Sequence, residues 1–492
     1  MLPRLTLVFA TDQNGLFGLN GTLPWKCSED LKHFNRVTTD TFSTPYIVMG
    51  RKTFESLPKK LEGRYHIVLS SQDLPGADYT SGNFEHVLKR FSRDFDSLES
   101  KSSSGRIELK TQELHGNHLF VIGGVALIEY VYKHYIHLID TIYYTRINQD
   151  IQVPDDATQC TRMFKSVLDS MLSHPQVKKE SSEATFYKIS LPKHEEFQYL
   201  ELLENCIHGG GSYRQTRNAA TFSTFNKTIT FDLTNGFPLL TTKKVFMRGI
   251  FEELMFFLKG NTDSKILEAK GVNIWKPNTT QEFIKSCGLP YEEGDMGPMY
   301  GWNWKHFGAN YVNKNTDYEG KGFNQIEYAM SLLKNDPFSR RILMTTYNPA
   351  TAKKGVLYPC HSLVIQFYCN NKGGDEKMYV SMNMYQRSVD LACGLPFNIA
   401  SNALLLHLMC ETLNAQVGEE KYVPHMMNII LGDIHVYEQH VEGVRQQIQR
   451  IPFSFPKLRI LQSSTSIEDY TFDDISIENY VCYPAIKYEM IA

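Results

Sequence analysis

Cys360 stands between Pro359 and His361 at the head of the apolar run SLVIQFY, where a thiol could be a metal ligand, a redox partner, a buried filler or a nucleophile. Cysteine spacing narrows the choice. The nine cysteines are odd in number, the nearest two, Cys360 and Cys369, lie nine positions apart, and no Cys-x-x-Cys occurs for zinc or dithiol exchange. Filler and nucleophile remain.

A thiol with an ordinary pKa of about 8.5 is only a few per cent ionised at neutral pH, so a nucleophilic role needs cations converging on it. DPFSRRILM offers Arg340 and Arg341, and YQRSVD offers Arg387, Ser388 and Asp390. Arginine and serine donors together suit a phosphate, which would fix a ring over the thiol; the same residues also read as solvated surface groups. GLPFNIAS supplies Asn398 at a predicted helix start, and LGDIHVYEQH supplies His435 and Tyr437. These side chains suit hydrogen bonds to a pyrimidine and a sugar hydroxyl, or equally a satisfied core.

The first two hundred residues carry different chemistry. LFVIGGV is a strand running into two glycines before a helix, a turn whose backbone can approach a pyrophosphate. MGRKTFESL is a second such turn, in which Arg51 and Lys52 would suit the extra phosphate of NADPH, or form a solvated basic pair. Ahead of both, NGLFGLNGTLPWKCSEDLKHF reads as a Gly/Asn-rich loop and a short helix capped by Ser28. Asp30 in that helix is either a solvated first-turn acid or, if buried, a grip for a cationic or amide-like heterocycle.

The elements that must position these residues follow from pattern. At 492 residues the chain exceeds one hydrophobic core, which predicts two or three domains. Strands are predicted at 5–10, 46–50, 65–71, 119–124, 141–147 and 185–191, with helical patterns such as SEDLKHFNRV between them. That alternation predicts an α/β domain with a mainly parallel sheet over residues 1–191, with a polar surface excursion at 92–117. Residues 192–492 read as α+β, with helices in VFMRGIFEELMFFLKG, FNQIEYAMSLLKND and NIASNALLLHLMCETL, strands in SLVIQFYC and KMYVSMNMYQRS, and a loop in HFGANYVNKNTDYEGKGF. A formal charge of −3 gives no general attraction to nucleic acid. LTLVFA is too short for a signal-peptide core and no run approaches 18 apolar residues, so a cytoplasmic protein without a membrane partner is expected.

In order, GLNGTLPW, Asp30, MGRKTFES, GRYHIVLSS and VIGG resemble dihydrofolate reductase across nearly all of residues 1–191. The resemblance implies hydride transfer from NADPH to dihydrofolate, with Asp30 holding the pteridine and promoting protonation of its imine nitrogen. Trp25 and Phe34 would pack around that ring, Thr145 would support Asp30, and Arg64 would pair with the glutamate tail. Ala10, Arg51, Lys52, Thr53, Ser70, Ser71, Gly123, Gly124 and Val125 would hold the cofactor. Ile128 stands where the family carries a tyrosine.

From residue 193 onward, FPLLTTKK, EELMFFLKG, GPMYGWNW, NDPFSRRI, PCH, YQRS, LPFNIAS, GDIHVY and IKYEMIA resemble thymidylate synthase. Cys360 would then add to carbon 6 of the uracil of deoxyuridylate, so that carbon 5 can take the one-carbon unit of methylene-tetrahydrofolate. Glu253 would organise proton transfers and Asn398 would steady the uracil. Arg217, Arg387 and Ser388 would hold the phosphate, His435 and Tyr437 the sugar, and Trp275 and Asp390 the folate, with Tyr300, His361 and Gln386 also lining the substrate site. Arg340 and Arg341 reach the neighbouring subunit's phosphate in this family, which implies a homodimer through the synthase domains. The segment RNAATF, with Ala219 and Ala220, departs from the family's glycine-rich Arg-Thr-Gly-x-Gly. Joined, the halves resemble the bifunctional dihydrofolate reductase-thymidylate synthases of protists and plants, with no metal and no obligatory nucleic acid. The competing reading is a regulatory or RNA-binding protein that keeps both folds without turnover.

Overall fold

The computed structural model describes residues 3–39, 44–91, 118–154, 157, 159–191, 194–208, 211–216, 219–371, 376–489 and 491. The excursion expected at 92–117 lies outside the described residues. The chain forms two compact units, Met1–His194 and Glu195–Ala492.

The strands of the first unit are β1 (Arg4–Thr11), β2 (Leu16–Leu19), β3 (Tyr46–Gly50), β4 (Tyr65–Leu69), β5 (Tyr79–Ser81), β6 (His118–Gly123), β7 (Ile139–Ile147), β8 (Cys160–Arg162), β9 (Gln176–Glu180) and β10 (Ala184–Ser190). Its helices are α1 (Ser28–Thr39), α2 (Arg51–Glu55), α3 (Phe84–Arg90), α4 (Val125–Tyr135) and α5 (Lys165–Leu172). Eight strands make one sheet in the order β5-β4-β3-β6-β1-β7-β10-β9, parallel from β5 to β7 and antiparallel at β10 and β9. The central strands are unbroken apolar runs because helices cover both of their faces. Helix α1 lays Phe34 and Val37 on the sheet beside Ile47, Met49, Val68 and Phe120, which fixes the direction of its remaining side chains.

The second unit contains β11 (Ser212–Gln215), β12 (Ala220–Asp232), β13 (Leu343–Thr345), β14 (Val364–Asn370), β15 (Met378–Asp390), β16 (Tyr422–Tyr437), β17 (Lys457–Ile460) and β18 (Ile475–Glu478). Its helices are α6 (Glu196–Ile207), α7 (Met247–Leu258), α8 (Lys265–Glu268), α9 (Gln281–Ser286), α10 (Gly301–Lys305), α11 (Gln325–Asn335), α12 (Gly394–Val417) and α13 (Val441–Ile448). Six strands form a sheet in the order β11-β12-β16-β15-β14-β13, antiparallel except for the β15–β16 pair. Helix α12 is apolar around nearly its whole circumference and is accordingly buried, packing on β15 and β16. It begins four residues before Asn398, because Pro396 falls within its first turn, where no N–H is needed. The expected helix start at Asn398 is therefore corrected: Asn398 lies one turn inside. Ala219 and Ala220 take no positive φ, so the loop is built without the conformations glycine would allow.

Glu196, fully buried at the start of α6, ties down the TTKK segment. Its carboxylate accepts the N–H and hydroxyl of both Thr241 and Thr242, at 2.6–2.8 Å. Those four donors offset the burial that pushes its pKa up. Among the described residues no helix is long and apolar enough to cross a membrane.

Candidate active sites

In the first unit the two predicted phosphate turns meet at the carboxyl ends of neighbouring parallel strands, where open α/β sheets bind ligands. Gly50 precedes α2 and Gly124 precedes α4, and neither helix start is capped by a side chain. A Cβ on Gly123 would stand 3.0 Å from Thr53 Cγ2, and one on Gly124 would stand 3.4 Å from Thr53 Oγ1. Gly123 is therefore required for the turns to close on Thr53, while a side chain on Gly124 would only touch it; the N–H groups of Gly124 and Val125 face no backbone partner among the described residues and suit an anion. Arg51 is exposed, bonded to Glu55 (2.9 Å) and Gln72 (3.2 Å), and Lys52 is exposed beside it. Ser70 turns its hydroxyl onto the carbonyl of Gln72 at the end of β4, next to exposed Ser71, and Ile128 is wholly buried in α4.

Asp30 is 8% exposed on the first turn of α1. Cys27, rather than the expected Ser28, occupies the cap: its carbonyl accepts from Leu31 N (3.3 Å) and its sulfur from Asp30 N (3.4 Å). Trp25 and Cys27 pack with Ile147 and Ala184, which carries the aspartate inward. Burial raises the Asp30 pKa, and Thr145 and Trp25 beside the carboxylate pull it partly back. Thr145 is set there by its pairing with Ala10. The Trp25 Nε1 is buried near this carboxylate without a hydrogen bond of ordinary geometry. One turn along α1, the Arg64 guanidinium lies 5.8 Å above the Phe34 ring and bonds the Asn35 side chain, while its Nε is buried and unpartnered among the described residues. Burial lowers the Arg64 pKa. A buried acid and an under-used planar cation thus lie about one turn apart along α1.

In the second unit Cys360 lies in the loop before β14, four residues ahead of the strand it was expected to open. Its N–H donates to the Tyr300 hydroxyl (3.1 Å), which also lies 3.3 Å from Sγ, and its carbonyl accepts from Arg387 N (2.8 Å) and Ser388 N (3.4 Å). The YQRSVD strand end is thereby locked to the thiol's own backbone. Burial pushes the thiol pKa up, while the Tyr300 hydrogen bond and the Arg387 charge oppose it. Tyr300 itself takes φ 47°, held by stacking on Phe257 (5.1 Å) and His361 (4.4 Å). Its neighbour must be glycine, because a Cβ on Gly301 would sit 2.2 Å from the Phe257 carbonyl oxygen.

Glu253 on α7 is buried and accepts a 2.8 Å hydrogen bond from Trp275 Nε1; burial carries its pKa up to about 7. Burial lowers His361 to about 4, so this imidazole is neutral at physiological pH. Asn398 is buried, and its side-chain amide makes no hydrogen bond to the described residues; Gln386 leaves a buried Oε1 unpartnered. Asp390 pairs with His435 across β15 and β16, and the His435 and Tyr437 rings meet edge to face at 5.1 Å. Arg340 and Arg341 are not brought here: both are exposed before β13, with no hydrogen bond or ion pair to the described residues. Arg217 lies outside the described residues. Sequence reasoning missed Phe257, which supports Tyr300, and Lys243 and His440 beside Asp390; the only sequence signals are the FEELMFFLKG, TTKK and YEQH runs themselves.

Comparison with known proteins bears on both units. Residues 4–188 match the dihydrofolate reductase family and residues 197–492 the thymidylate synthase family. The bifunctional dihydrofolate reductase-thymidylate synthase of Paramecium tetraurelia is 35% identical, covering 99% of this chain and 98% of its own. That of Zea mays is 35% identical over 96% of this chain and 94% of its own, and that of Leishmania major 33% identical over 99% and 95%.

The geometry around the thiol makes a prediction independent of substrate. Tyr300→Phe removes a hydrogen bond that favours the thiolate, so the pH midpoint for alkylation of Cys360 by iodoacetamide should move upward by about one unit, corresponding to about 1.4 kcal/mol. Mass mapping of the labelled peptide across pH reads it, and an unmoved midpoint would show that Tyr300 does not act on the sulfur.

Proposed function

The chain belongs to the bifunctional dihydrofolate reductase-thymidylate synthases, and from that premise we propose that residues 1–191 reduce dihydrofolate around Asp30 and residues 192–492 methylate deoxyuridylate through Cys360. The enzyme reduces dihydrofolate with NADPH and converts deoxyuridylate to thymidylate with methylene-tetrahydrofolate. The relatives are named as enzymes, which leaves the non-catalytic reading without support.

The observation that carries the reductase assignment is the buried acid of α1. A carboxyl whose pKa burial raises can stay protonated longer as pH climbs, and so can both grip the pteridine and favour protonation of its imine nitrogen. Phe34 and Trp25 exclude water around that ring, and Arg64 offers its fork to the distal carboxylate. The two-glycine turn closed on Thr53 and the uncapped start of α4 fit a dinucleotide pyrophosphate, with Arg51, Lys52, Ser70 and Ser71 along the strand ends and Ala10 towards the substrate. NADPH, when bound there, supplies the hydride.

In the synthase half, the Cys360 thiolate adds to carbon 6 of uracil and carbon 5 becomes the nucleophile. Asn398 donates to the developing enolate, and Gln386 offers its unpartnered oxygen to the ring. Carbon 5 bonds the one-carbon unit and loses its proton as the folate nitrogen departs, leaving an exocyclic methylene; hydride from the folate then adds to that methylene carbon, making the methyl group and dihydrofolate, as the thiolate leaves carbon 6. Glu253, titrating near 7, can take and return protons in this sequence. Arg387 and Ser388 hold the phosphate, His435 and Tyr437 the sugar, and Trp275 and Asp390 the folate.

A homodimer is supported by two observations. One face of the sheet leaves Leu343, Val364, Tyr368 and Tyr385 exposed side by side, Tyr368 by 64%, an apolar patch suited to a second copy. Among the described residues the thiol of one chain feels a single arginine, whereas Arg340 and Arg341 remain unspent at the edge of that face. Delivered to a partner's phosphate, they would add the cations that Cys360 lacks.

Three outcomes are expected. Cys360→Ala should abolish thymidylate formation while NADPH-dependent reduction persists, and Asp30→Asn should cost reduction about 10²–10⁴-fold with thymidylate formation intact; either variant losing both activities, or neither, would overturn the assignment in separate coupled-free assays. The kcat/KM profile for thymidylate formation should bend near pH 7, and Glu253→Gln should flatten that limb; a limb that survives belongs to another group. Refolding Cys360→Ala together with Arg340→Ala/Arg341→Ala should restore roughly a quarter of wild-type synthase activity through hybrids with one complete site, whereas no gain over the separate parents would exclude shared sites.

A further inference from the structure

Asp390, Cys393 and His440 place one carboxylate oxygen, one sulfur and one imidazole nitrogen within 4.8 Å of one another. They come from the end of β15, the turn into α12 and the residue before α13. The state of the imidazole is set from behind. His440 Nε2 lies 2.7 Å from the backbone carbonyl of Glu489, which can only accept, so Nε2 carries the hydrogen and the neutral ring has its lone pair on Nδ1. That nitrogen is 1% exposed as part of its residue, has no hydrogen-bond partner among the described residues, and faces Asp390 Oδ1 at 4.0 Å. The carboxylate is fixed by the N–H groups of Ala392 (2.9 Å) and Cys393 (3.1 Å). Two acceptors therefore face each other at 4.0 Å beside a thiol whose own hydrogen reaches Asp390, a set of donor atoms that a cation would satisfy.

We propose that Asp390, Cys393 and His440 form a site for a borderline-soft divalent cation, Zn²⁺ by ligand type, whose occupation blocks the folate side of the synthase. One sulfur, one imidazole and one carboxylate are the donors that zinc accepts, and a carbonyl on the far imidazole nitrogen is the usual outer support. Ligand atoms around tetrahedral zinc stand about 3.3–3.7 Å apart, so separations of up to 4.8 Å must shrink by at most about 1.5 Å, shared between the side chains. Binding exchanges water on the ion for the three side chains and releases the Cys393 proton to solvent. Lys243 opposes the cation, but its ammonium is directed to the Ala392 carbonyl and lies 4.7 Å over the Tyr488 ring. Three protein ligands leave one position open, and Asp390 is withdrawn from the folate; that last step rests on the role given to Asp390 above.

Co²⁺, which reports a thiolate ligand by a near-ultraviolet absorption band, is titrated into the full-length enzyme in thiol-free buffer, in wild type, Cys360→Ser and Cys393→Ala, with Cys393→Ser as a second variant should alanine impair folding. The expected result is a band saturating at one Co²⁺ per chain, kept in Cys360→Ser and lost in both Cys393 variants. Zn²⁺ at ten times its Kd should raise the apparent KM for methylene-tetrahydrofolate about tenfold in wild type, with little effect in the Cys393 variants and none on NADPH oxidation. A band that survives loss of Cys393, or no stoichiometric band at all, overturns the site. Zinc bound through Cys393 without a change in KM upholds the site and removes Asp390 from the folate.

Discussion

The hydrogen bonds between Tyr300 and Cys360 set the terms for the second unit. The hydroxyl accepts the cysteine N–H at 3.1 Å, which leaves its own hydrogen for the sulfur 3.3 Å away. A thiol in this pocket is otherwise driven toward its neutral form by burial, and a neutral thiol does not add to a pyrimidine. Much of the surrounding architecture serves that one contact. Tyr300 adopts a left-handed backbone conformation that costs about 1–3 kcal/mol, sustained by the Phe257 and His361 rings and by a glycine whose missing side chain admits the Phe257 carbonyl. The same loop hands its carbonyl to Arg387 and Ser388, so that the arginine acting on the sulfur is registered to it through backbone, not through a long flexible side chain.

Both halves use burial to move proton equilibria, and hydrogen-bond donors to hold the shift back. In the first, Asp30 is lifted and partly steadied by Thr145 and Trp25. In the second, Glu253 is lifted to about 7 and steadied by one indole N–H, while His361, stacked on Tyr300, falls to about 4 and stays neutral. Two buried acids with raised pKa values, that of Glu253 near 7, suit reactions in which a proton must be delivered and then recovered. The chemistry joins the halves as well, since thymidylate formation leaves the folate as dihydrofolate, the substrate of the other site.

The sequence was most legible where periodicity was simple. Buried parallel strands such as YIVMG and LFVIGG read directly as apolar runs, and their glycine turns marked the ligand end of the sheet. Strand β9 is exposed at every position and β12 carries an exposed Asn-Lys-Thr stretch, so neither showed an alternating pattern. Strand β16 begins with Pro424 near its start and is partly covered on both faces, which erased its period over sixteen residues. Among site residues, motif order singled out Cys360, Asp30 and Glu253, but the tertiary partners that tune them were not readable. Phe257 looked like one more core aromatic in FEELMFFLKG, and nothing local in YEQH tells that a distant Glu489 carbonyl fixes the His440 tautomer.

The claim that Cys360 is the covalent nucleophile is tested most directly by trapping it in the act. Wild-type enzyme incubated with 5-fluoro-deoxyuridylate and methylene-tetrahydrofolate should yield, by peptide mass spectrometry, a single cysteine carrying nucleotide and folate together, in the peptide containing Cys360. An enzyme that turns over deoxyuridylate yet leaves this peptide unmodified, or bears the adduct on another cysteine, would contradict the account.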